Sequence, residues 1–439
     1  MNVRKLMIAV LALALAAGPL ATAALAQGGS IFIPLLVYRT GPYAPSGIPN
    51  ANGFQDYFNL LNERDGGING VKLAIEECET QYDTKQGVEC YERLKSKAVL
   101  INPYSTGITY QLIPKAPVDK IVVHSMGYGM TASADGRYFP WVFNVPMTYW
   151  SQASAFIKYA ASVDGGLDKL KGKKIVHIFH NSPYGKEANP TLEDLAKKHE
   201  FELTLLAVDH PGQEQSATWL QVRRINPDWI YLSGWGVMNG VAVKEAASKG
   251  FKMDRIVGNW WSGSESDVVP AGDGAKGYKS MTFHAPGGGF KVHQDVIKHV
   301  YDKGKGATKK ESLGEVYHNR GMINAMLNSE AIRTAMVKYN LKTAPTAEQV
   351  RWGFENLNIT EQRLEQLGMK GMIRPLRVSC ENHEGNGMAA VQQWDGKQWK
   401  VISDWIEPMR DVVRPKLELA AVEEAKKLNY TPRDCSKEK

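Results

Sequence analysis

Asn102-Pro103-Tyr104-Ser105-Thr106-Gly107 joins a short apolar run, Ala98 to Ile101, to a helical pattern that begins near Ile108. A strand that ends in a Ser-Thr-Gly turn opening a helix gathers two hydroxyls and free backbone N–H groups at one point. Such groups suit a carboxylate or another anion. The same residue types cap ordinary helices, so the turn alone leaves both roles open. Catalysis has thinner support. The chain contains no Gly-x-Ser-x-Gly elbow and no GxxxxGK(S/T) phosphate loop. His177 and His180, with two residues between them, fall on an expected strand with no acidic residue beside them, a poor metal pair. Gly287-Gly288-Gly289 lacks the context of a dinucleotide loop and reads as a linker. The expectation is a protein that binds and releases, with no metal or cofactor.

The elements around the turn alternate. Ile31 to Tyr38 reads as a buried strand, Gly41 to Gly47 as a long turn and Asn52 to Asn62 as a helix. A strand over Val71 to Glu76, a helix near Thr84 to Ser96, the strand before Ser105 and a strand over Ile121 to His124 follow. A second series begins near Tyr149, with strands at Lys174–His180, Glu202–Val208, Trp229–Leu232 and Arg255–Gly258. Strand–helix alternation of this kind implies parallel sheets with helices on both faces, here as two similar α/β lobes. After about Ser280 the pattern is mainly helical, and Ala389–Trp394 and Trp399–Trp405 flank Asp395-Gly396 as a hairpin.

Ligands of open parallel sheets bind beyond the carboxyl ends of the strands. The loops at those ends, and the residues that open the following helices, hold Tyr43, Tyr104, Ser105, Thr106, Ser125, Gly127, Tyr128, Tyr149, Trp150, Tyr184, Trp235, Trp260 and Trp261. These are the candidate ligand contacts. Core packing is the plainer role of an aromatic residue, and Trp141, Trp219, Trp229 and Trp352 read as core. Two lobes facing each other would line one cleft with rings and a few polar donors.

Composition sets the class. Hydrophobic residues make up 43% of the 439 and charged ones 23%, the balance of an ordinary folded protein long enough for two domains. Asn2-Val3-Arg4-Lys5, the apolar run Leu6 to Ala17 and Ala24-Leu25-Ala26 have the layout of an export signal cleaved after Ala26. A membrane anchor fits less well, because Gly18-Pro19 interrupts a run shorter than the roughly 20 residues a span needs. Removing Arg4 and Lys5 lowers the formal charge from +7 to +5. The basic residues are dispersed, which excludes a nucleic-acid footprint. Cys78, Cys90, Cys380 and Cys435 form no CxxC pair, and an exported chain favours disulfides. Of three possible connectivities we expect Cys78–Cys90 and Cys380–Cys435.

Thr40-Gly41-Pro42, Gly66-Gly67-Ile68-Asn69-Gly70-Val71-Lys72-Leu73, Tyr82-Asp83-Thr84-Lys85-Gln86-Gly87 and Asn181-Ser182-Pro183-Tyr184-Gly185, in this order, carry a family resemblance. The chain resembles the periplasmic solute-binding proteins of ABC importers, of the branched-chain amino acid (Leu/Ile/Val, type I) kind, from about Ile31 to Trp405. The resemblance implies an α/β fold of two doubly wound parallel-sheet lobes joined by a three-segment hinge. Residues 27–143 plus 283–372 would form lobe one, and 144–282 plus 373–439 lobe two. It implies a monomeric periplasmic receptor whose partners are a small-molecule ligand and the permease and ATPase subunits. A ligand-sensing domain for a membrane kinase is the other class open.

In amino-acid-binding relatives a serine after the third strand holds the ligand carboxylate; by position this is Ser105. Tyr317 resembles another family contact, with His318 and Arg320 beside it; Arg320 would pair a second acid or lie on a solvated helix face. The glutamate that pairs the ligand ammonium falls on Trp260, with Glu265 and Asp267 further along the loop as possible substitutes. Burying an ammonium without a carboxylate partner costs several kcal/mol. A tryptophan there offers an apolar or cation–π wall instead. The expected ligand is therefore a small organic acid with an apolar or aromatic body, an aromatic carboxylate above all. A quaternary ammonium solute and a branched-chain or other amino acid are the alternatives.

Overall fold

The computed structural model describes residues 29–438. The expected export signal and its cleavage after Ala26 lie outside them. The first sheet is built from β1 (Ile31–Val37), β2 (Leu73–Glu79), β3 (Leu100–Ile101), β4 (Val122–His124) and β5 (Val142–Phe143). Parallel pairing joins β2 to β1, β3 to β4 and β4 to β5. A parallel bridge between Leu35 and Asn102 links the two halves, so the strands run β2-β1-β3-β4-β5.

The second sheet contains β6 (Lys174–His180), β7 (Glu202–Val208), β8 (Trp229–Ser233), β9 (Ile256–Gly258) and β10 (Lys279–Thr282). After a small antiparallel pair, β11 (Asn358–Ile359) with β12 (Leu376–Arg377), it is completed by β13 (Ala390–Trp394) and β14 (Trp399–Val401). The order is β14-β13-β10-β9-β8-β6-β7, with the hairpin β13–β14 added antiparallel at the β10 edge. Six of the seven residues of β6 are buried, as a strand covered by helices on both faces requires.

The chain leaves the first sheet after β5 for the second, leaves the second after β10, and rejoins it at β13. The segment between those last two crossings contains the helix Val316–Lys338, which packs along the helix Ala44–Arg64. Their approach depends on glycine. A Cβ on Gly53 would lie 1.9 Å from the His318 carbonyl oxygen, and one on Gly321 would lie 2.0 Å from that of Asn50.

Three expectations from sequence need correction. Trp352 is not core: it is half-buried, edge-on to the exposed Tyr339, with Lys338 over its ring. The stretch Gly41 to Gly47 is not wholly a turn, because the helix already begins at Ala44 with Pro45 in its first turn, where proline's missing N–H has no partner to lose. The helix Arg410–Lys427 was not anticipated; it seats Val413, Leu417, Ala421 and Ala425 against the body. The disulfides are Cys78–Cys90 and Cys380–Cys435. The second ties the chain end to the segment before β13. No helix among the described residues is long and apolar enough to cross a membrane.

Candidate functional site: an aromatic chamber between the lobes

A narrow cavity lies where the carboxyl ends of the two sheets meet, lined by Tyr38, Asn50, Tyr82, Tyr104, Ser105, Thr106, Tyr128, Tyr149, Tyr184, Trp235 and Trp261. Tyr38 follows β1, Tyr82 follows β2, and Tyr104, Ser105 and Thr106 follow β3. Tyr128 lies after β4, Tyr184 after β6, Trp235 after β8 and Trp261 after β9. Tyr149 opens the helix Tyr149–Asp164. The strand-end rule thus accounts for all of the lining except Asn50 and Tyr149. No Lys, Arg, His, Asp or Glu is among the described residues that line the cavity.

Most hydroxyls of the lining are tied to protein groups. The Tyr38 hydroxyl donates to the Tyr104 carbonyl (3.2 Å), and that of Tyr184 donates to the Gly234 carbonyl (2.8 Å). The Tyr128 oxygen accepts the Tyr104 N–H at 2.7 Å. Tyr82 and Tyr104 have positive φ, 64° and 53°, a conformation bulky residues adopt only when their surroundings hold them. In Tyr104 it is held by the Tyr128 hydroxyl, and it delivers Ser105 to the start of the helix Thr106–Leu112.

Ser105 has both roles that its sequence left open. It is the N-cap of that helix, accepting the Ile108 N–H at 3.4 Å, and it also lines the cavity. The Thr106 oxygen accepts the Gly129 N–H at 3.2 Å. The N–H groups of Thr106 and Gly107 begin the helix and have no intrahelical acceptor. The turn therefore offers two hydroxyls, beside the first free N–H groups of the helix, at one side of a box whose other lining is aromatic apart from Asn50.

Tyr104, Ser105, Thr106, Tyr128, Tyr149, Tyr184, Trp235 and Trp261 are brought together as lining. The other sequence candidates are not. Trp150 points away from the cavity: its indole donates to the Glu187 carbonyl at 2.8 Å, and its ring packs with Ala134, Val413 and Leu417. Adjacent helical residues face directions about 100° apart, so Tyr149 and Trp150 cannot share one wall. The Ser125 hydroxyl is bonded to that of Thr109 at 2.9 Å. Trp260 is fully buried behind the wall, stacked on Tyr149 and edge-on to Phe283.

Gly127, Trp260, Tyr43 and Tyr317 instead join one lobe to the other. The Gly127 carbonyl accepts the indole N–H groups of Trp260 (2.8 Å) and Trp261 (3.2 Å). The Tyr317 hydroxyl bridges the Trp261 carbonyl (2.6 Å) and the Asp267 carboxylate (2.9 Å). Tyr43 meets His180 Nε2 and His210 Nδ1, each at 2.9 Å. Burial pulls His180 down to about 3 and lowers His210 as well.

Glu265 and Asp267 do not face the cavity. Glu265 accepts the Val316 N–H, and burial raises it to about 7; burial also raises Asp267, to about 6. Arg320 is not on a solvated face. It is fully buried, its Nε 3.2 Å from His284 Nε2, its guanidinium carbon 5.2 Å from the Trp261 and Phe283 ring centres and 5.4 Å from that of Tyr317. Burial draws its pKa down to about 10.

Sequence reasoning missed Tyr38, Tyr82 and Asn50. Tyr38 and Tyr82 obey the strand-end rule and were available to it; Asn50 sits inside a helix and carries no such signal.

A family model described as periplasmic binding protein matches residues 30–398. The chain belongs to that family. This periplasmic binding protein is similar to a solved structure from the Pseudomonas fluorescens group described as an ABC transporter permease: 44% identity, 92% of this chain and 99% of that one, TM-score 0.86. It is 25% identical over 295 residues to a Leu/Ile/Val-binding protein homolog 1 of Brucella abortus, covering 64% of this chain and 75% of that one. A solute-binding protein of an R. palustris ABC transporter, solved in complex with benzoate, shares the fold at 15% identity, with 87% and 97% coverage and a TM-score of 0.68. The protein is thus a type I binding protein, a non-catalytic, extracytoplasmic substrate-binding component of an ABC transporter.

Proposed function

We propose that this binding protein captures a small organic acid with an apolar or aromatic body, an aromatic carboxylate above all, by closing its two lobes around it. The observation that carries the reading is the composition of the chamber: eight aromatic side chains, no ionised residue, a corner of two hydroxyls at Ser105 and Thr106, and the neutral amide of Asn50. A carboxylate accepts hydrogen bonds only, and that corner supplies donors. The rings enclose the rest of the ligand. An α-amino acid fits poorly, since its ammonium finds no carboxylate in the lining. The benzoate bound by the R. palustris relative is in keeping with the same division of labour. A quaternary ammonium is the competing ligand, because an aromatic box alone suffices for one.

The hinge segments would lie near Asn144, Thr282 and Ile373, with residues 27–143 plus 283–372 moving as one lobe against 144–282 plus 373–439. The closed monomer would then dock on the permease of an importer driven by its ATPase subunits; docking on a membrane kinase instead would leave the ligand site unchanged. A thermal-shift panel of aromatic acids, aliphatic acids, amino acids and betaines tests the reading. Aromatic acids are expected to raise the melting temperature most, because ligand binds the folded chain and not the unfolded one. A large shift with leucine or glycine betaine and none with aromatic acids would refute it.

Closure also predicts a pH dependence. His180 and His210 face Tyr43 across the cleft, with their rings 4.0 Å apart, and burial depresses both. His210 is already exposed, whereas opening would expose the buried His180, so the open form binds more protons than the closed one as pH falls below the ordinary histidine value near 6.5. Affinity is therefore full at pH 7.5 and is expected to weaken about tenfold by pH 5.5. Calorimetry at the two pH values reads this directly, and His180→Gln should flatten the profile. Equal affinity at both would count against His180 closing with the cleft.

A further inference from the structure

Two side chains of the chamber are left without partners. Both amide atoms of Asn50, Oδ1 and Nδ2, are buried without a hydrogen bond, and so is the indole Nε1 of Trp235. Asn50 is 1% exposed and Trp235 4%, and both line the cavity. Among the described residues of the lining these are the fully buried side-chain polar atoms that no protein group satisfies. Their neighbours differ. The Tyr38, Tyr128 and Tyr184 hydroxyls are all bonded to backbone groups, and the Asn324 amide reaches the Tyr104 hydroxyl at 3.3 Å.

Asparagine inside a helix is a poor helix former, and a buried amide without partners is more costly still. Asn50 carries both penalties. Its helix is held tightly at this point, because Gly321 of the helix Val316–Lys338 packs directly against the Asn50 backbone. The side chain therefore cannot be carried out to solvent by a small backbone shift. An occupant of the chamber must meet it.

The donor and acceptor inventory defines that occupant. Asn50 offers two N–H donors and one carbonyl acceptor, and Trp235 adds one donor. A carboxylate cannot donate to Oδ1, and an ammonium cannot accept from the three N–H groups. A hydroxyl does both, donating once and accepting twice. We propose that Asn50 and Trp235 form a second polar subsite, one from each lobe, that takes a hydroxyl group carried by the ligand in addition to its carboxylate. This rests on the reading of the chamber as an acid site, and it narrows the ligand class to hydroxylated acids. A site built to bond a hydroxyl rejects the analogue without it, because its own polar groups are then stranded. Because Asn50 and Trp235 stand on opposite lobes, a hydroxyl that engages both also favours closure.

The test is a set of ligand pairs differing by one hydroxyl, titrated by calorimetry: benzoate against 3- and 4-hydroxybenzoate, hexanoate against 6-hydroxyhexanoate, and phenylalanine against tyrosine. In the unaltered protein the hydroxylated member of at least one pair is expected to bind at least about tenfold more tightly. In Asn50→Leu that preference should fall to within about twofold, and in Trp235→Phe, which keeps the ring and removes the N–H, to an intermediate value. Thermal melts check that both variants fold; should Asn50→Leu not fold, Trp235→Phe carries the comparison. The proposal is overturned if no pair shows the preference, as when water alone fills the subsite, if neither member of any pair binds, or if the preference survives in the folded variants. 4-Hydroxybenzyl alcohol separates this from the acid reading. Were it to bind as tightly as 4-hydroxybenzoate, with the hydroxyl preference intact, the carboxylate corner would fail and the Asn50 subsite would stand.

Discussion

Replacing Trp261 by alanine is expected to weaken ligand binding at least about 100-fold, as truncation of a central aromatic hot spot does. Trp261 is the side chain on which chamber and closure converge. Its ring meets Trp235 at 5.4 Å and, across the cleft, Tyr128 at 6.0 Å and Tyr317 at 6.3 Å. Its indole donates to the Gly127 carbonyl, and Arg320 lies over its ring. In the proposed opening of the lobes, Tyr128, Tyr317, Gly127 and Arg320 would all leave it. Truncation therefore removes contacts that belong mainly to the closed form, and the loss should fall on affinity more than on the melting temperature of the unliganded chain.

Trp150 supplies the control. It is a tryptophan of similar burial, one residue from the chamber-lining Tyr149, yet its ring packs on Val413 and Leu417 away from the cavity. Trp150→Ala is expected to lower stability by about 3 kcal/mol, as large-to-small core changes do, and to leave ligand affinity within about twofold. Calorimetry with an aromatic acid, paired with thermal melts of both unliganded variants, checks the contrast. If Trp261→Ala bound normally, or if both variants lost affinity equally, the wall assigned to Trp261 would be misplaced.

The fold was largely legible where burial writes itself into the sequence. The apolar run of β6 marked its observed bounds, because a strand covered on both faces tolerates little polarity; β7, half-buried at the sheet edge, was marked by its aliphatic run alone. The helix Ala44–Arg64 was read short because Gly41-Pro42-Tyr43-Ala44-Pro45-Ser46-Gly47 has the composition of a turn, and composition does not reveal that Pro45 stands in a first helical turn. The helix Arg410–Lys427 has apolar residues every fourth position, but Pro415 and nine charged side chains obscure the stripe.

The site was legible to the extent that it follows topology. Tyr104, Ser105, Thr106, Tyr128, Tyr184, Trp235 and Trp261 were found because strand ends converge. Direction was harder. Tyr149 and Trp150 were indistinguishable as neighbours, and so were Trp260 and Trp261, although one of each pair faces the chamber and the other packs behind it. Arg320 was hidden for another reason. A lone arginine on a helix is usually solvated, and only the packing of Trp261, Phe283 and Tyr317 around it reveals a buried cation.

The central claim is that the polar corner of an uncharged aromatic box selects an anion. Ser105, Thr106 and the first N–H groups of their helix donate to a carboxylate through charge-assisted hydrogen bonds, each worth about 1.5–3 kcal/mol against roughly 1 for a neutral pair. A primary amide of the same shape keeps one carbonyl oxygen but sets an NH2 group against donors, so bonds are lost and like dipoles face each other. Desolvation of the carboxylate offsets part of the difference. A net advantage of about 3 kcal/mol, or roughly 100-fold, remains for the acid. The most direct measurement is calorimetric titration of the protein with 4-hydroxybenzoate and 4-hydroxybenzamide at pH 7.5. The account predicts that the acid binds roughly 100-fold more tightly than the amide. Equal affinity for the two, or tighter binding of the amide, would contradict it.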